Sequence, residues 1–156
     1  MARFKIRPAQ LPESAALTAL MLRSKAHWGY DAAFMQQCEA PFAIPAELIA
    51  RGYVQVVEDE TGATLGVAST VPLPEDGDFD LLHMFVEPSA IGSGAGRVLF
   101  EAILRTAREA GAHRLVILSD PHAAAFYERM GAVRIGDAPS DAIPGRQLPR
   151  LIYKLT

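Results

Sequence analysis

The sequence predicts an α+β fold, in a three-layer α/β arrangement, with a mixed, largely antiparallel central sheet of about six or seven strands flanked by helices. Three observations carry that expectation. Short apolar segments joined by tight turns crowd the middle of the chain, from Tyr53 to Val86. Helical periodicity lies before and after this block and does not alternate with every strand, as it would in a parallel sheet. The length of 156 residues, half of them hydrophobic, suits a single domain over residues 1–156, a size that buries about 68–70% of the unfolded surface.

Phe4–Arg7 alternates and stops at Pro8, as a first strand does. Pro12 to about Trp28 carries Leu17, Leu20, Met21 and Ser24 at helical spacing. A second short helix is expected over Asp31–Glu39, and a third over Pro45–Gly52, closed by its glycine. Tyr53–Glu58 and Thr64–Pro72 read as a hairpin around Glu60-Thr61-Gly62. Phe79–Val86 follows the turn Glu75–Asp78 and is apolar enough for a central strand. In the next helix Arg97, Glu101, Arg105 and Arg108 share one face, and Leu99, Ala102, Ile103 and Ala110 another, with Gly111 as the cap. Leu115–Leu118 is a short buried strand, Pro121–Met130 a helix ending at Gly131, and Val133–Ile135 and Leu151–Leu155 the last strands. The Pro/Gly-rich stretch DAPSDAIPGRQLP reads as a loop between them.

The net charge of −3 and the scattered Lys and Arg exclude a nucleic-acid footprint. A single cysteine, Cys38, forms no internal disulfide, fits a reducing compartment and reads as a small buried hydrophobe. The opening MARFKIRP has no apolar core of a signal peptide, and no apolar run reaches the ~18 residues of a membrane span. A cytoplasmic protein with no membrane partner is expected.

The most informative stretch is VEPSAIGSGAGRVLFEAIL, Val86–Leu104. Gly92, Gly94 and Gly96 lie between an apolar strand and an amphipathic helix. Glycine costs roughly 0.5–1 kcal/mol in ordered structure, and one would serve a tight turn. A strand, a bare loop and a helix N-terminus instead form an anion site, with backbone N–H groups and the helix dipole facing phosphate oxygens. The run is neither a Walker loop nor the GxGxxG of a dinucleotide fold.

At these residues the chain resembles the GCN5-related N-acetyltransferase (GNAT) family. Val86 followed by Ile91-Gly92-Ser93-Gly94-Ala95-Gly96 is similar to the family's Arg/Gln-x-x-Gly-x-Gly/Ala block, with Ile91 where Arg or Gln is usual. Ala123-Ala124-Ala125-Phe126-Tyr127-Glu128-Arg129-Met130-Gly131-Ala132 is similar to its Ala-x-x-Phe-Tyr-x-x-x-Gly-Phe block, with Ala132 replacing Phe. The resemblance implies the acyl-CoA N-acyltransferase fold and direct transfer of acetyl from acetyl-CoA to an amine, with no metal. It implies that the pantetheine arm lies between Phe79–Val86 and Leu115–Leu118, against the backbone of Met84, Phe85 and Val86. The pyrophosphate is then expected on Ile91, Gly92, Ser93, Gly94, Ala95, Gly96 and Arg97, with Asp120 and Phe126 completing the cofactor contacts. A homodimer is left open, since family members often pair.

Acetyl transfer needs a free amine, donors for the oxyanion and a way for the thiolate to leave. The family places a tyrosine at Tyr127, which implies the acid. The backbone N–H of Phe85 or Val86 is the expected oxyanion donor. For the base, Asp80 and His83 compete, and water chains serve in many members. Asp80 stands where some members carry a catalytic Glu, and His83 suits proton relay near neutrality. Their odd spacing puts them on opposite faces of a regular strand, so joint action is not expected. Trp28, Tyr30 and Arg146 are candidates for the acceptor site, as amphipathic walls and a carboxylate reader. A small-molecule amine is the expected acceptor. A noncatalytic CoA-binding sensor of the same fold, or a protein or peptide N-acetyltransferase, are the alternatives.

Overall fold

The computed structural model describes residues 3–140 and 143–156. Met1 and Ala2 of the opening segment, and Asp141 and Ala142 of the late loop, lie outside the described residues. The strands are β1 (Lys5–Pro8), β2 (Val54–Glu58), β3 (Thr64–Pro72), β4 (Asp78–Val86), β5 (Arg114–Leu118), β6 (Val133–Pro139) and β7 (Gln147–Lys154). The helices are α1 (Ser14–Ala26), α2 (Ala32–Cys38), α3 (Ala46–Ala50), α4 (Ala95–Glu109) and α5 (Ala124–Arg129).

The seven strands form one sheet in the order β1-β2-β3-β4-β5-β7-β6. Every neighbouring pair is antiparallel except β4 and β5. That parallel pair requires a crossover, which α4 supplies. Helix α4 buries Ala95, Leu99, Phe100, Ile103, Leu104 and Ala107 against one face, where they meet Ala68, Phe79, Leu81, Leu115 and Tyr127. The opposite face carries Val54, Val56 and Val67 under Leu17, Leu20, Met21, Leu48 and Ile49 of α1 and α3. The three expected layers are therefore present. Full burial of a Val, Leu, Ile or Phe side chain is worth about 1.5–3 kcal/mol, so these two clusters are the main source of cohesion.

Several local expectations need correction. Ala110 is exposed beyond the end of α4, and Ala107 closes the apolar stripe instead. The segment before α1 starts as a 3₁₀ turn, Leu11–Glu13, where Glu13 accepts from the Gln10 backbone and pairs with Arg7. The late loop is shorter than its composition suggests, because β6 runs on to Pro139 and β7 starts at Gln147.

One correction bears on the site. In the β3–β4 ladder Ser69 pairs with His83 but Thr70 pairs with Leu81, so Leu82 is an extra, bulged residue. Val71 then faces Asp80. Ser69 and Val71 are two residues apart and share a face, so their partners His83 and Asp80 share it too. The opposite-face expectation held only for a regular strand, and the bulge reverses it.

Candidate active site

Strands β4 and β5 pair only through Asp78, Phe79 and Asp80 with Arg114, Leu115 and Val116. Beyond that point β4 stays with β3, and Ile117 and Leu118 of β5 stay with β7. The two strands part and open a cavity of about 600 Å³ between them. Its walls include Leu81–Val86 from β4, Leu118 at the end of β5 with Ser119 and Asp120 after it, Phe126 and Tyr127 from α5, Lys25 from α1 and Trp28 just beyond α1. This is the carboxyl end of a parallel pair, where α/β sheets commonly hold ligands.

The glycine turn lies on the same cavity. Gly92 (φ +83°) and Gly94 (φ +95°) have left-handed backbone that disfavours side chains, and both line the opening. Gly94 is the N-cap of α4 and brings no side chain to the first-turn amides. Ser93 Oγ accepts from the Ala95 N–H at 3.2 Å, while Gly96 and Arg97 line the cavity. The N-terminus of a fifteen-residue helix whose N-cap residue carries no side chain, beside bare glycines, suits a phosphate-bearing ligand. The residues present thus fit acetyl-CoA. Ile91, where the family prefers Arg or Gln, is 42% exposed and also lines the opening.

Of the other expected site residues, Trp28, Asp80, His83, Met84, Phe85, Val86, Asp120, Phe126, Tyr127 and Arg146 all line this cavity. Tyr30, Ser93 and Ala95 do not. Ser93 turns its hydroxyl to the Ala90 carbonyl, and Ala95 is buried in the core.

Tyr127 is 5% exposed, and its ring packs between Phe100 and Phe126. Its hydroxyl makes no hydrogen bond among the described residues, where no fully buried side-chain nitrogen or oxygen lacks a partner. The hydroxyl therefore touches open cavity. Burial, with the nearby Asp120 charge, pushes its pKa above the ordinary tyrosine value, so it stays protonated.

His83 is 3% exposed and has both ring nitrogens engaged. The Pro41 carbonyl, 2.9 Å away, can only accept, so Nε2 carries the proton. Nδ1 then accepts from the Ser69 hydroxyl at 2.8 Å. Burial lowers the pKa and keeps the ring neutral. Such a histidine ties β4 to the segment after α2. Asp80 is half-buried on the same face.

The expected acceptor residues belong to a polar cluster centred on Asp120. Its Oδ2 pairs with Lys25 Nζ and accepts from the Tyr30 hydroxyl at 2.9 Å. Arg146 donates to that hydroxyl at 2.7 Å and stands 3.8 Å from Oδ2. Asp120 Oδ1 accepts from the His122 backbone N–H at 2.8 Å and lies 2.7 Å from His122 Nδ1. Burial alone pushes the Asp120 carboxyl up, but Lys25 and His122 outweigh it and hold the group at about 2. The Tyr30 ring stacks on Phe34 and lies beneath the Lys25 and Arg146 cations, at 4.9 and 5.1 Å. Arg146 is thus a held cation within a network.

Two residues of this cluster escape a reading of the sequence alone. Lys25 sits on the buried side of α1 at 8% exposure, among the apolar positions. His122 lines the cavity from the turn between β5 and α5, and Trp28 stacks on it at 4.8 Å and 6°. The available signal was position: Asp120-Pro121-His122 stands just before the Ala123–Ala132 block, at the end of a strand.

A parallel pair that splays over a cavity, with a glycine turn opening a crossover helix, defines an acyl-CoA N-acyltransferase fold. The chain belongs to the acetyltransferase (GNAT) family, whose model matches residues 19–132. Among solved structures it is similar to YncA of Salmonella typhimurium, determined with acetyl-CoA as its cofactor, at 24% identity and a TM-score of 0.73 over 99% of this chain and 95% of that one. It is similar to the PaiA N-acetyltransferase of Thermoplasma acidophilum, determined with coenzyme A, at 11% identity and a TM-score of 0.75 over 99% of both chains. It also matches N-acetylglutamate synthase of Neisseria gonorrhoeae, determined with coenzyme A and N-acetylglutamate, at 21% identity and a TM-score of 0.69. All of this chain aligns there, but it spans only 36% of the synthase. No match was found among curated protein sequences. Among the described residues no group of His, Cys, Asp and Glu could hold a metal, and no helix is long and apolar enough to cross a membrane.

Proposed function

We propose that the protein moves an acetyl group from acetyl-CoA directly to the amine of a small-molecule acceptor. The observation that carries this reading is a single cavity into which the glycine turn, the splayed strands and the unpartnered Tyr127 hydroxyl all open. The cofactor enters along β4, with its phosphates against Gly92–Arg97. The thioester lies near Tyr127, which hands a proton to the leaving thiolate. The acceptor enters from the α1 side, between Trp28, Lys25 and Arg146. The enclosed aromatic and cationic walls favour a small amine with a carboxylate over a protein tail, and the synthase matched above was solved with an N-acetylated amino acid.

Screening primary amines, amino acids and peptides for CoA-thiol release from acetyl-CoA tests the reading. Release with small amines or amino acids is the expected result. Release with peptides alone would move the activity to protein tails. Tight CoA binding with no acetylated product from any amine would leave a CoA sensor.

A further inference from the structure

We infer that His122, held by Asp120, is the general base that removes a proton from the acceptor's ammonium. The inference rests on the acetyl-transfer reading, and it assigns a reacting group that neither family block contains. An alkylamine is an ammonium at neutral pH, with a pKa of about 10.4. It cannot attack until that proton is gone.

The geometry around His122 is that of an oriented base. Asp120 is ionised and can only accept, so the proton of the neutral ring lies on Nδ1, 2.7 Å from Oδ1. Nε2 is left with its lone pair, and it has no hydrogen-bond partner among the described residues. A carboxylate that fixes one tautomer in this way prepares the other nitrogen to take a proton. The parallel stack on Trp28 holds the ring plane. The imidazole borders the same cavity as Tyr127, and the Asp120 charge reaches both residues. His83, by contrast, has its Nδ1 lone pair engaged by Ser69.

The charged and titratable groups facing His122 are Lys25 from α1, Tyr30 after it, Arg146 before β7, and Asp120 itself, with His27 on the edge of Trp28. Lys25 and Arg146 lie on the far oxygen of Asp120, Oδ2, and His122 on the near one. The cations keep the carboxylate ionised without occupying the imidazole.

The step balances. The ammonium proton passes to Nε2. The amine nitrogen bonds to the thioester carbonyl carbon, and the carbon–sulfur bond breaks with its electron pair on sulfur. The thiolate takes the Tyr127 proton. The second amine proton and the His122 proton return to solvent and to Tyr127.

Two readouts test this. The first needs no acceptor: nitrogen-15 spectra of histidine-labelled protein saturated with CoA, in wild type and Asp120→Asn. Nδ1 of neutral His122 should carry the proton in wild type, and Asp120→Asn should abolish that preference. A wild-type ring protonated on Nε2 overturns the dyad. The second measures kcat/KM against pH with acetyl-CoA and the best of a panel of the twenty amino acids and unbranched primary amines. His122→Gln should lose about 10²-fold or more near neutrality, with the gap closing as pH rises and the amine loses its proton unaided. Added imidazole should restore activity to His122→Ala and leave wild type unchanged, while the KM for acetyl-CoA stays near the wild-type value. An unchanged rate and pH profile in His122→Gln, or a loss found only in Asp80→Asn, overturns the assignment. If wild type releases no CoA thiol with any member of the panel, acetyl transfer to small amines fails and the base role with it. The spectra decide the Asp120–His122 pair separately.

Discussion

The Tyr127 ring is wedged between Phe100 and Phe126, with centroids 5.4 and 5.3 Å away, and the residue lines the cavity. Tyr127→Phe therefore deletes a proton donor and almost no volume, and the fold should survive. The single-turnover rate should fall by about 10²-fold, with the KM for acetyl-CoA little changed. The loss should shrink as pH rises toward the thiol's own pKa of about 8.5, where the thiolate leaves without help. A wild-type single-turnover rate would make Tyr127 structural. Asp120 supports a second prediction. Its carboxyl is held at about 2 against an ordinary 3.8. A depressed pKa contributes stability that is present above the unfolded value and is lost as pH falls through the folded one. Asp120→Asn removes that contribution and strands Lys25, so it should cost roughly 3 kcal/mol at neutral pH in urea unfolding. The deficit should narrow between about pH 4 and 2, the window set by those two values. A deficit constant with pH would show that the charge of Asp120 is not what stabilises. The place of Tyr127 on the cavity was legible because a motif surrounds it. The places of Lys25 and His122 were not, because Asp120 gathers them into one cluster and Lys25 lies 95 residues away from it in sequence.

At the scale of the element, the start of α4 separates two uses of glycine. Gly92 and Gly94 are required by their positive φ whether or not a ligand binds. Gly94→Val would strain the backbone by itself, and weaker binding in that variant would prove little. Gly96 has ordinary helical backbone, and an added Cβ would meet the Phe126 ring at 3.7 Å, a normal contact. Gly96→Ala should fold normally, gain slightly in helix propensity, and place a methyl at the cavity wall. Its CoA dissociation constant should rise about 10-fold, or 1.4 kcal/mol, in calorimetric titration. Unchanged affinity would move the phosphates away from this turn. The glycine turn and the element order were readable because local chemistry sets them. The bulge at Leu82 was not, since a bulge exists only relative to a partner strand and leaves no residue signature in DFDLLHMFV. The full length of the late strands, beyond Val133–Ile135 and before Leu151, was hidden by their prolines. Pro149 directs its carbonyl to Ser119, past the last β5–β7 pair at Leu118, so its missing N–H faces a place where β5 has already ended. Pro139 closes β6, the strand at the edge of the sheet.

Across the whole molecule, one sheet is covered on both faces, but its middle is joined by only three residue pairs between β4 and β5. The strands to one side, β1–β4, and to the other, β5–β7, are otherwise linked through α4 and α5 and their shared core. A wedge that opens there is where a long, flexible ligand can be gripped by backbone on one side and side chains on the other. It is also where the sheet lacks mutual hydrogen bonds. Order of elements, layers and strand number followed from periodicity and turn residues. The wedge did not, because it depends on where a parallel pairing stops; only the family resemblance implied that these two strands splay around the pantetheine arm. This architecture predicts that CoA acts as a brace. A ligand that binds only the folded state stabilises it by about 2.7 kcal/mol at 100 times its dissociation constant. For a chain of this size each kcal/mol moves the melting temperature by roughly 2–4 °C. Saturating CoA should therefore raise Tm by about 5–10 °C in calorimetry. The location of the effect is the sharper test. Hydrogen exchange should slow most at the β4 amides between Leu81 and Val86 that β3 does not engage, and at Gly96 and Arg97 in the first turn of α4. Amides in β1 and β2, far along the sheet, should change only as much as global stability requires. Protection spread evenly over all seven strands, or confined to α4, would mean that the ligand does not enter the gap between the parting strands.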